Sequence, residues 1–497
     1  MKTTKKYSKI SKSQYITGIQ CPKALWFYRH RPDLKPEVSE AQQHIFDTGH
    51  EIGELAQEYF PSGIEITEEY YEIDKAIKST EEAVSKGEKF IFEATACSPD
   101  GAYSRIDIFK KVKGSDAWDL IEVKASTGVK DYQVHDIAFQ RYAFVNAGYK
   151  IRKSILMHVN NQYVRSGELN VDELFNLEDC TDLMNDLLPG IKGELRNLIQ
   201  ILKKNQEPSI EIGDHCHDPF DCDYIHHCWQ HVPEYSVYNI SRGQKRDALL
   251  IDDIVEVADI PDNFETTERQ RVDILAYKNN QIHVDIEEIK DFLDALVYPL
   301  YYLDYETIFP AVPLFNNSRP YQQIPFQFSL HIQKKKGGDL KHVEFLHTDT
   351  SDPRPGFIQS LVQNCGEIGS VVVYNRSFES GINEQLAAVF PKYRDSLIGI
   401  NNRMVDLLIP FRSRWLYHPD MKGSASLKAV LPAFVPELSY DNLSINDGGA
   451  ASRIYLSCIK ETVSEAEKKK IYQDLREYCG QDTFAEVKLL DVLYETK

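Results

Sequence analysis

Residues 103–126 read YSRIDIFKKVKGSDAWDLIEVKAS. Two runs rich in β-branched and aromatic residues flank a polar turn at Gly114 to Asp116, a pattern that predicts two antiparallel strands. Side chains alternate faces along a strand, so Glu122 and Lys124 share one face of the second strand while Ile121 and Val123 share the other. One face carries chemistry and the other belongs to a core. Asp107 stands on the first strand, and a hairpin of this length brings it beside Glu122. Two carboxylates and a lysine at one point suit metal-assisted phosphodiester hydrolysis. Hard oxygen ligands hold a magnesium-type ion, and a cation positions the attacking water or offsets developing charge.

Working outward, residues 12–60 read as helical from a Ser11 cap, and FIFEATA (90–96) reads as a strand. The segment DYQVHDIAFQRYAFVNAG (131–148) predicts a helix stopped by Gly148, with Asp136 and Gln140 at i, i+4 and able to face the carboxylates. KSILMHV (153–159) is a further strand. Helix, three strands, helix, strand is the order of an α/β domain with one mixed sheet. Residues 171–206 read as helical, and 236–295 as a polar, helix-prone connection. A second α/β pattern follows: YYLDYETIF (301–309), PFQFSLHIQ (325–333), HVEFLH (342–347), VVVYN (371–375) and a closing helix within 467–495. In it Asp304 and Glu306 share a strand face, Asn375 and Glu379 stand four apart, and Tyr478 and Asp482 share a helical face.

At 497 residues with 42% hydrophobic content the chain has material for about three domains, expected at 1–235, 236–295 and 296–497. The formal net charge of -19 disfavours an indiscriminate nucleic-acid coat but leaves room for an enzyme that concentrates its lysines locally. Lys110, Lys111 and Lys113 form one such run and Lys334 to Lys336 another; each alone reads as solvated surface charge. No apolar run reaches the roughly 20 residues of a membrane span, and no apolar stretch follows the basic N-terminus, so the expectation is a cytoplasmic protein without membrane partners.

Nine cysteines, an odd number, make a disulfide framework a poor reading. Cys216, Cys222 and Cys228 lie six positions apart in HCHDPFDCDYIHHCW, a spacing that suits zinc knuckles badly and leaves three thiolates without a fourth ligand. Cys97, Cys180, Cys365, Cys458 and Cys479 read as ordinary small buried residues.

Over about residues 12–230 the chain resembles the PD-(D/E)xK nuclease superfamily, in particular the RecB-like branch that includes CRISPR-associated exonucleases carrying an iron-sulfur cluster. The matching pieces are Asp107, the Glu122-Val123-Lys124 triplet and Gln140 in AFQRYAF. The resemblance implies a restriction-endonuclease-like α/β domain whose Asp107 and Glu122 hold Mg2+ or Mn2+. It also implies that Cys21, in GIQCPKALWFYR, joins Cys216, Cys222 and Cys228 in ligating a 4Fe-4S cluster. His215, His217, His226 and His227 keep zinc open as the competitor. Relatives carry a metal-binding His four residues after a helix Gly. Here Gly53 stands four after Gly49, and His50 reads as a helix-surface side chain.

Over about residues 296–497 the chain resembles the DEDD exonucleases of the RNase H-like fold. That resemblance implies Asp304, Glu306, Glu379 and Asp482 as ligands of two metal ions and Tyr478 as the group that orients the attacking water. Glu379 replaces the family's Asp, and Asp406 in MVDLLIPF is the alternative acid. Together the halves resemble a bacterial family that fuses an iron-sulfur RecB-like nuclease to an RNase H-like exonuclease. The expectation is a metal-dependent nuclease with two active sites, exonucleolytic and acting on DNA in preference to RNA, in repair, mobile-element processing or defence. The alternative is a nucleic-acid-binding platform with one or both centres inactive and a structural cluster.

Overall fold

The computed structural model describes residues 9–440 and 443–496. The chain is a mixed α/β protein, about half helical. Two compact units make it up: residues up to His231 together with Pro310–Tyr321, and Val232–Phe309 together with the chain from Gln322 onward. Among the described residues no helix is long and apolar enough to cross a membrane.

The first unit opens with β1 (Ile10–Ser11), α1 (Lys12–Gln20), α2 (Pro22–His30) and α3 (Glu40–Glu58). The predicted long helical stretch is thus divided. Ser11 caps α1 through a reciprocal bond with Gln14, and Cys21 takes an extended conformation that ends it. There follow β2 (Ile64–Glu65), α4 (Ile73–Lys86), β3 (Phe90–Cys97), β4 (Ala102–Lys111), β5 (Trp118–Lys124), α5 (Asp131–Asn146) and β6 (Ile151–Val159). Next are α6 (Val171–Leu174), β7 (Phe175–Asp179), α7 (Leu188–Leu202) and the single turn α8 (Ile225–Cys228).

The strand β7 corrects the all-helical reading of 171–206. Its five residues FNLED are exposed apart from Phe175, and it forms because it pairs antiparallel with the open edge of β6. The sheet runs β2-β3-β4-β5-β6-β7, with β1 pairing parallel to β4. Ile121 faces a core with Ile52 and Ala56 of α3, and Val123 packs against it. Glu122 points the other way, toward Gln140 of α5.

The second unit begins with α9 (Val237–Ile240), α10 (Gly243–Ile251), α11 (Glu268–Asn279), β8 (His283–Val284) and α12 (Ile286–Asp294). These elements, expected as a separate connection, pack within the unit. β8 pairs with β14 (Leu416–Tyr417), and Asp273 of α11 receives the Arg414 guanidinium at 2.5 and 3.1 Å. The main sheet is built from β9 (Leu300–Ile308), β10 (Ile324–Gln333), β11 (Leu340–Leu346), β12 (Val371–Val373) and β13 (Met404–Asp406), in the order β11-β10-β9-β12-β13. Five helices surround it: α13 (Arg354–Asn364), α14 (Arg376–Val389), α15 (Arg394–Asn401), α16 (Leu408–Arg412) and α17 (Leu427–Phe434). Two more, α18 (Gly448–Ile459) and α19 (Glu465–Thr496), close the chain.

This sheet has two chemically different faces. Leu303, Tyr305, Phe328 and Leu330 form one apolar core with α13, α14 and α15. Alternation puts Asp304, Glu306, Gln327, Ser329 and His331 on the other, where α19 covers them: Gln327 Nε2 donates to the Leu475 carbonyl, and Ser329 and His331 both bond the Thr483 hydroxyl.

Candidate active sites

In the first unit β4 and β5 pair antiparallel through Ile108↔Ile121, and one step on places Asp107 opposite Glu122. There the strands part, and Asp107 Oδ2 accepts the freed Val123 N–H at 2.6 Å. Glu122 is 1% exposed and accepts three bonds: Oε1 takes Lys124 Nζ at 2.8 Å and Lys12 Nζ at 2.5 Å, and Oε2 takes Gln140 Nε2 at 2.8 Å. Lys124 also reaches Asp136 Oδ2 at 2.7 Å, and Ser104 Oγ donates to Gln140 Oε1 at 2.8 Å; Glu122, an acceptor only, sets which end of the amide faces it.

The electrostatics divide the two carboxylates. Burial works against the Glu122 charge, yet Lys12 and Lys124 outweigh it and hold this carboxyl at about 2. Burial, and then the charge of Glu122, push Asp107 up to about 8. A site with one carboxyl kept ionised and its neighbour kept protonated is short of positive charge at Asp107, which is what a divalent ion supplies.

Two members of this group were not legible in the sequence. Lys12 arrives from 110 positions upstream. Glu93, in mid β3, takes φ +57, a strained conformation for this residue, and faces Arg105 with Nε–Oε2 3.6 Å; Lys12 and Glu122 contribute to its carboxyl field. His50 lies exposed on α3, outside this constellation.

Cys21, Cys216, Cys222 and Cys228 line one cavity with Ala24, Phe27 and Ile210. Cys21 sits between α1 and α2, Cys216 in a short turn, and Cys228 ends α8. Gln20 ties the two segments together, its Nε2 donating to the carbonyls of His215 at 2.9 Å and Phe220 at 2.7 Å. Burial pushes the Cys222 thiol up to about 11, with the other three cysteines adding to the shift. Clustered thiols that resist ionisation in an apolar setting suit a cationic cluster or ion that replaces their protons. His215 Nε2 approaches Cys216 Sγ at 3.8 Å, and His217 is engaged with Asp221 at 2.7 Å. Of the remaining cysteines, Cys97 is half-buried rather than buried, and the other four are buried.

In the second unit Asp304, Glu306 and Cys479 offer ligand atoms that all lie within 4.8 Å of one another. Cys479 donates to Asp304 Oδ2 at 3.6 Å, so this cysteine is part of the acidic site rather than packing alone. Burial, and then neighbouring charge, drive Asp304 and Glu306 well above the usual carboxylate range. Asp482 is raised to about 6 by burial, against the hydrogen bonds of Tyr440 and Tyr478 and the charge of Lys428; Tyr440 OH reaches Asp482 Oδ1 at 2.5 Å.

Glu379 is 1% exposed, and its Oε2 has no hydrogen-bond partner among the described residues; burial and then Asp304 raise its carboxyl. Asp406 is employed otherwise, its Oδ1 accepting the N–H groups of Asn375 at 3.1 Å and Leu408 at 3.0 Å. Glu486, one turn beyond Asp482, is equally buried, its Oε2 is unpartnered among the described residues, and it feels Asp304, Glu379 and Asp482. The i+4 spacing after Asp482 was its one signal in the sequence. Tyr440 gave none, since only the tertiary fold brings it to α19. Orphaned carboxylate oxygens in a crowded acidic pocket fit divalent cations, which satisfy hard oxygen donors and neutralise the repulsion together.

Residues 301–426 match a family described as a domain of unknown function (DUF2779). The matched stretch carries Asp304, Glu306, Glu379 and Asp406 and ends before Tyr440, Tyr478 and Asp482. The uncharacterized protein MG366 of Mycoplasma genitalium is 28% identical over 213 residues, which is 38% of this chain and 31% of that protein. The uncharacterized protein UU173 of Ureaplasma parvum is 26% identical over 230 residues, 42% of this chain and 33% of that protein. The chain spans about a third of the length of these relatives. No solved structure matches it.

Proposed function

We propose that this chain is a divalent-metal-dependent nuclease with two centres, a PD-(D/E)xK-type site in the first unit and a DEDD-type, RNase H-like exonuclease site in the second. The observation that carries the reading is the convergence of Asp107, Glu122, Lys124 and Gln140 from β4, β5 and α5, with Lys124 held between Glu122 and Asp136. The orphaned oxygens of Glu379 and Glu486 beside Asp304 support the second centre.

Mg2+ or Mn2+ at these acids would polarise a scissile phosphate and make a bound water acidic. Asp107 and Glu122 would hold the ion in the first unit, and Asp304, Glu306, Glu379 and Asp482 in the second. Lys124 presents a fixed ammonium to the charge that develops on the phosphoryl oxygens. Gln140 keeps Glu122 in register, and Ser104 anchors the other end of the Gln140 amide. In the second unit the Tyr478 hydroxyl aligns a water while Tyr440 holds Asp482. The four thiols would bind a 4Fe-4S cluster with a structural role, tying the start of the first unit to its end. DNA is the proposed substrate.

A platform reading in which the first centre is inactive has its own support, because three N–H donors of the protein already bond Glu122, two of them at Oε1. Digestion of end-labelled single- and double-stranded DNA and RNA with Mg2+ or Mn2+ separates the two. The nuclease reading expects 3′-end release of mononucleotides that is lost in Asp304→Ala, and a second activity lost in Lys124→Ala. Nucleic-acid binding by the wild type without metal-dependent cleavage replaces it with the platform.

A further inference from the structure

Lys12 is the first residue of α1, and its position follows from the sheet. β1 pairs with β4 at Ile10↔Ala102 and Ser11↔Tyr103, along the part of β4 that lies beyond its last β5 pair at Ile108↔Ile121. α1 therefore starts beside the parted end of β5, where Glu122 lies. The helix is a firm arm. The Tyr15 hydroxyl donates to Glu194, and its ring stacks on Phe139 at 4.4 Å. A Cβ at Gly18 would meet Leu198 and Leu25 at 2.8 to 2.9 Å, so the helix is seated directly on α7 and α2. The side chain it delivers is still 28% exposed.

A carboxylate offers about four lone-pair directions, and Glu122 already gives three of them to Lys12, Lys124 and Gln140. Oε1 carries two of these bonds, from Lys12 and Lys124, so an ion that shares Oε1 with Asp107 displaces one of the two lysines. Lys124 has a second anchor in Asp136 at 2.7 Å, and Gln140 is held by Ser104. The acceptor that the structure gives Lys12 is Glu122 alone among the described residues.

Resting on the reading of the first unit as a metal-dependent centre, we propose that Lys12 is a positioning residue of that centre. It is a tethered cation that holds the Glu122 carboxylate in place before a divalent ion binds, and that gives up Oε1 to the ion. Lys12 and the metal then compete for one oxygen, and the centre's metal affinity is set partly by α1.

The test measures Mn2+ binding to the full-length protein at pH 7.5 from the loss of the free-ion electron paramagnetic resonance signal. An Asp304→Ala background removes the second centre's contribution. Lys12→Gln should tighten Mn2+ binding about tenfold, the low end for a charge-assisted bond whose ammonium is partly exposed. Lys12→Arg keeps the charge and should stay within about twofold of the parent. Circular dichroism and the melting midpoint report folding, and Lys12→Met repeats the neutral variant at the same side-chain length. Unchanged or weaker Mn2+ binding in folded Lys12→Gln or Lys12→Met overturns the proposal. Asp107→Asn distinguishes the two levels. If it abolishes the site while neutral variants of Lys12 leave affinity unchanged, the competition alone fails. If it leaves Mn2+ binding intact, the ion is elsewhere and the reading of the first centre falls with it.

Discussion

Replacing Asp304 by Asn should make the metal-free protein more stable while weakening its response to metal. Asp304, Glu306 and Cys479 present ligand atoms within 4.8 Å of one another, and Asp304 also raises the carboxyls of Glu379 and Glu486. Two full charges at that distance repel by about 3.5 kcal/mol at an effective dielectric of about 20. Burial raises these carboxyls and so favours their neutral forms, which makes the relief a fraction of that, about 1–2 kcal/mol. For a unit of about 250 residues this corresponds to a rise of roughly 2–8 °C in the unfolding midpoint.

The pH dependence follows from the same shifts. A carboxyl whose folded value is raised binds more protons folded than unfolded, so its favourable contribution is full below the unfolded value and is lost as pH rises through the folded one. For Asp482 that window runs from about 4 to about 6, and for Asp107 from about 4 to about 8. Glu122 acts oppositely, its contribution being lost only as pH falls toward about 2. Thermal unfolding in EDTA should therefore show the wild type losing stability between pH 5 and pH 8, and Asp304→Asn losing less. Mn2+ should raise the wild-type midpoint by mass action and the variant's by less. A lower midpoint for Asp304→Asn at pH 7.5 in EDTA, with an undiminished Mn2+ response, would refute the reasoning, since it would mean that the protein itself satisfies this carboxylate.

Lys124→Ala, assayed with Asp304 already removed, should lower turnover about a hundredfold with little change in DNA affinity, because its charge acts mainly on the transition state; equal turnover argues against this centre. Anaerobically purified protein should contain close to four irons per chain by metal analysis, and Cys21→Ala should lose them and destabilise the first unit; stoichiometric zinc without iron would make the thiol cavity a zinc site. Glu379→Gln should abolish 3′-end degradation, whereas Asp406→Ala should keep it and cost about 1 kcal/mol of stability through the two N–H groups it leaves unbonded. The reverse pattern in a nuclease assay would move the second-motif role to Asp406.

Local pattern carried much of this protein. The period of two in WDLIEVK separates Glu122 and Lys124 from Ile121 and Val123, and the same alternation in LYYLDYETI separates Asp304 and Glu306 from Leu303 and Tyr305. The period of 3.6 aligns Asp136 with Gln140 and Tyr478 with Asp482. These spacings are properties of a single strand or helix, so the chain written as letters already contains them. What only the tertiary structure decided lies between elements. Lys12 meets Glu122 because β1 lies along β4 where β5 departs; Tyr440 meets Asp482 because the fold brings the segment after α17 to α19. The strand β7 exists because β6 offers it an edge, and Pro310–Tyr321 leaves the sequence of one unit to join the other. The strained Glu93 is likewise held by its surroundings. Contacts of this kind depend on which segments approach in space, and no periodicity within a segment encodes its partner.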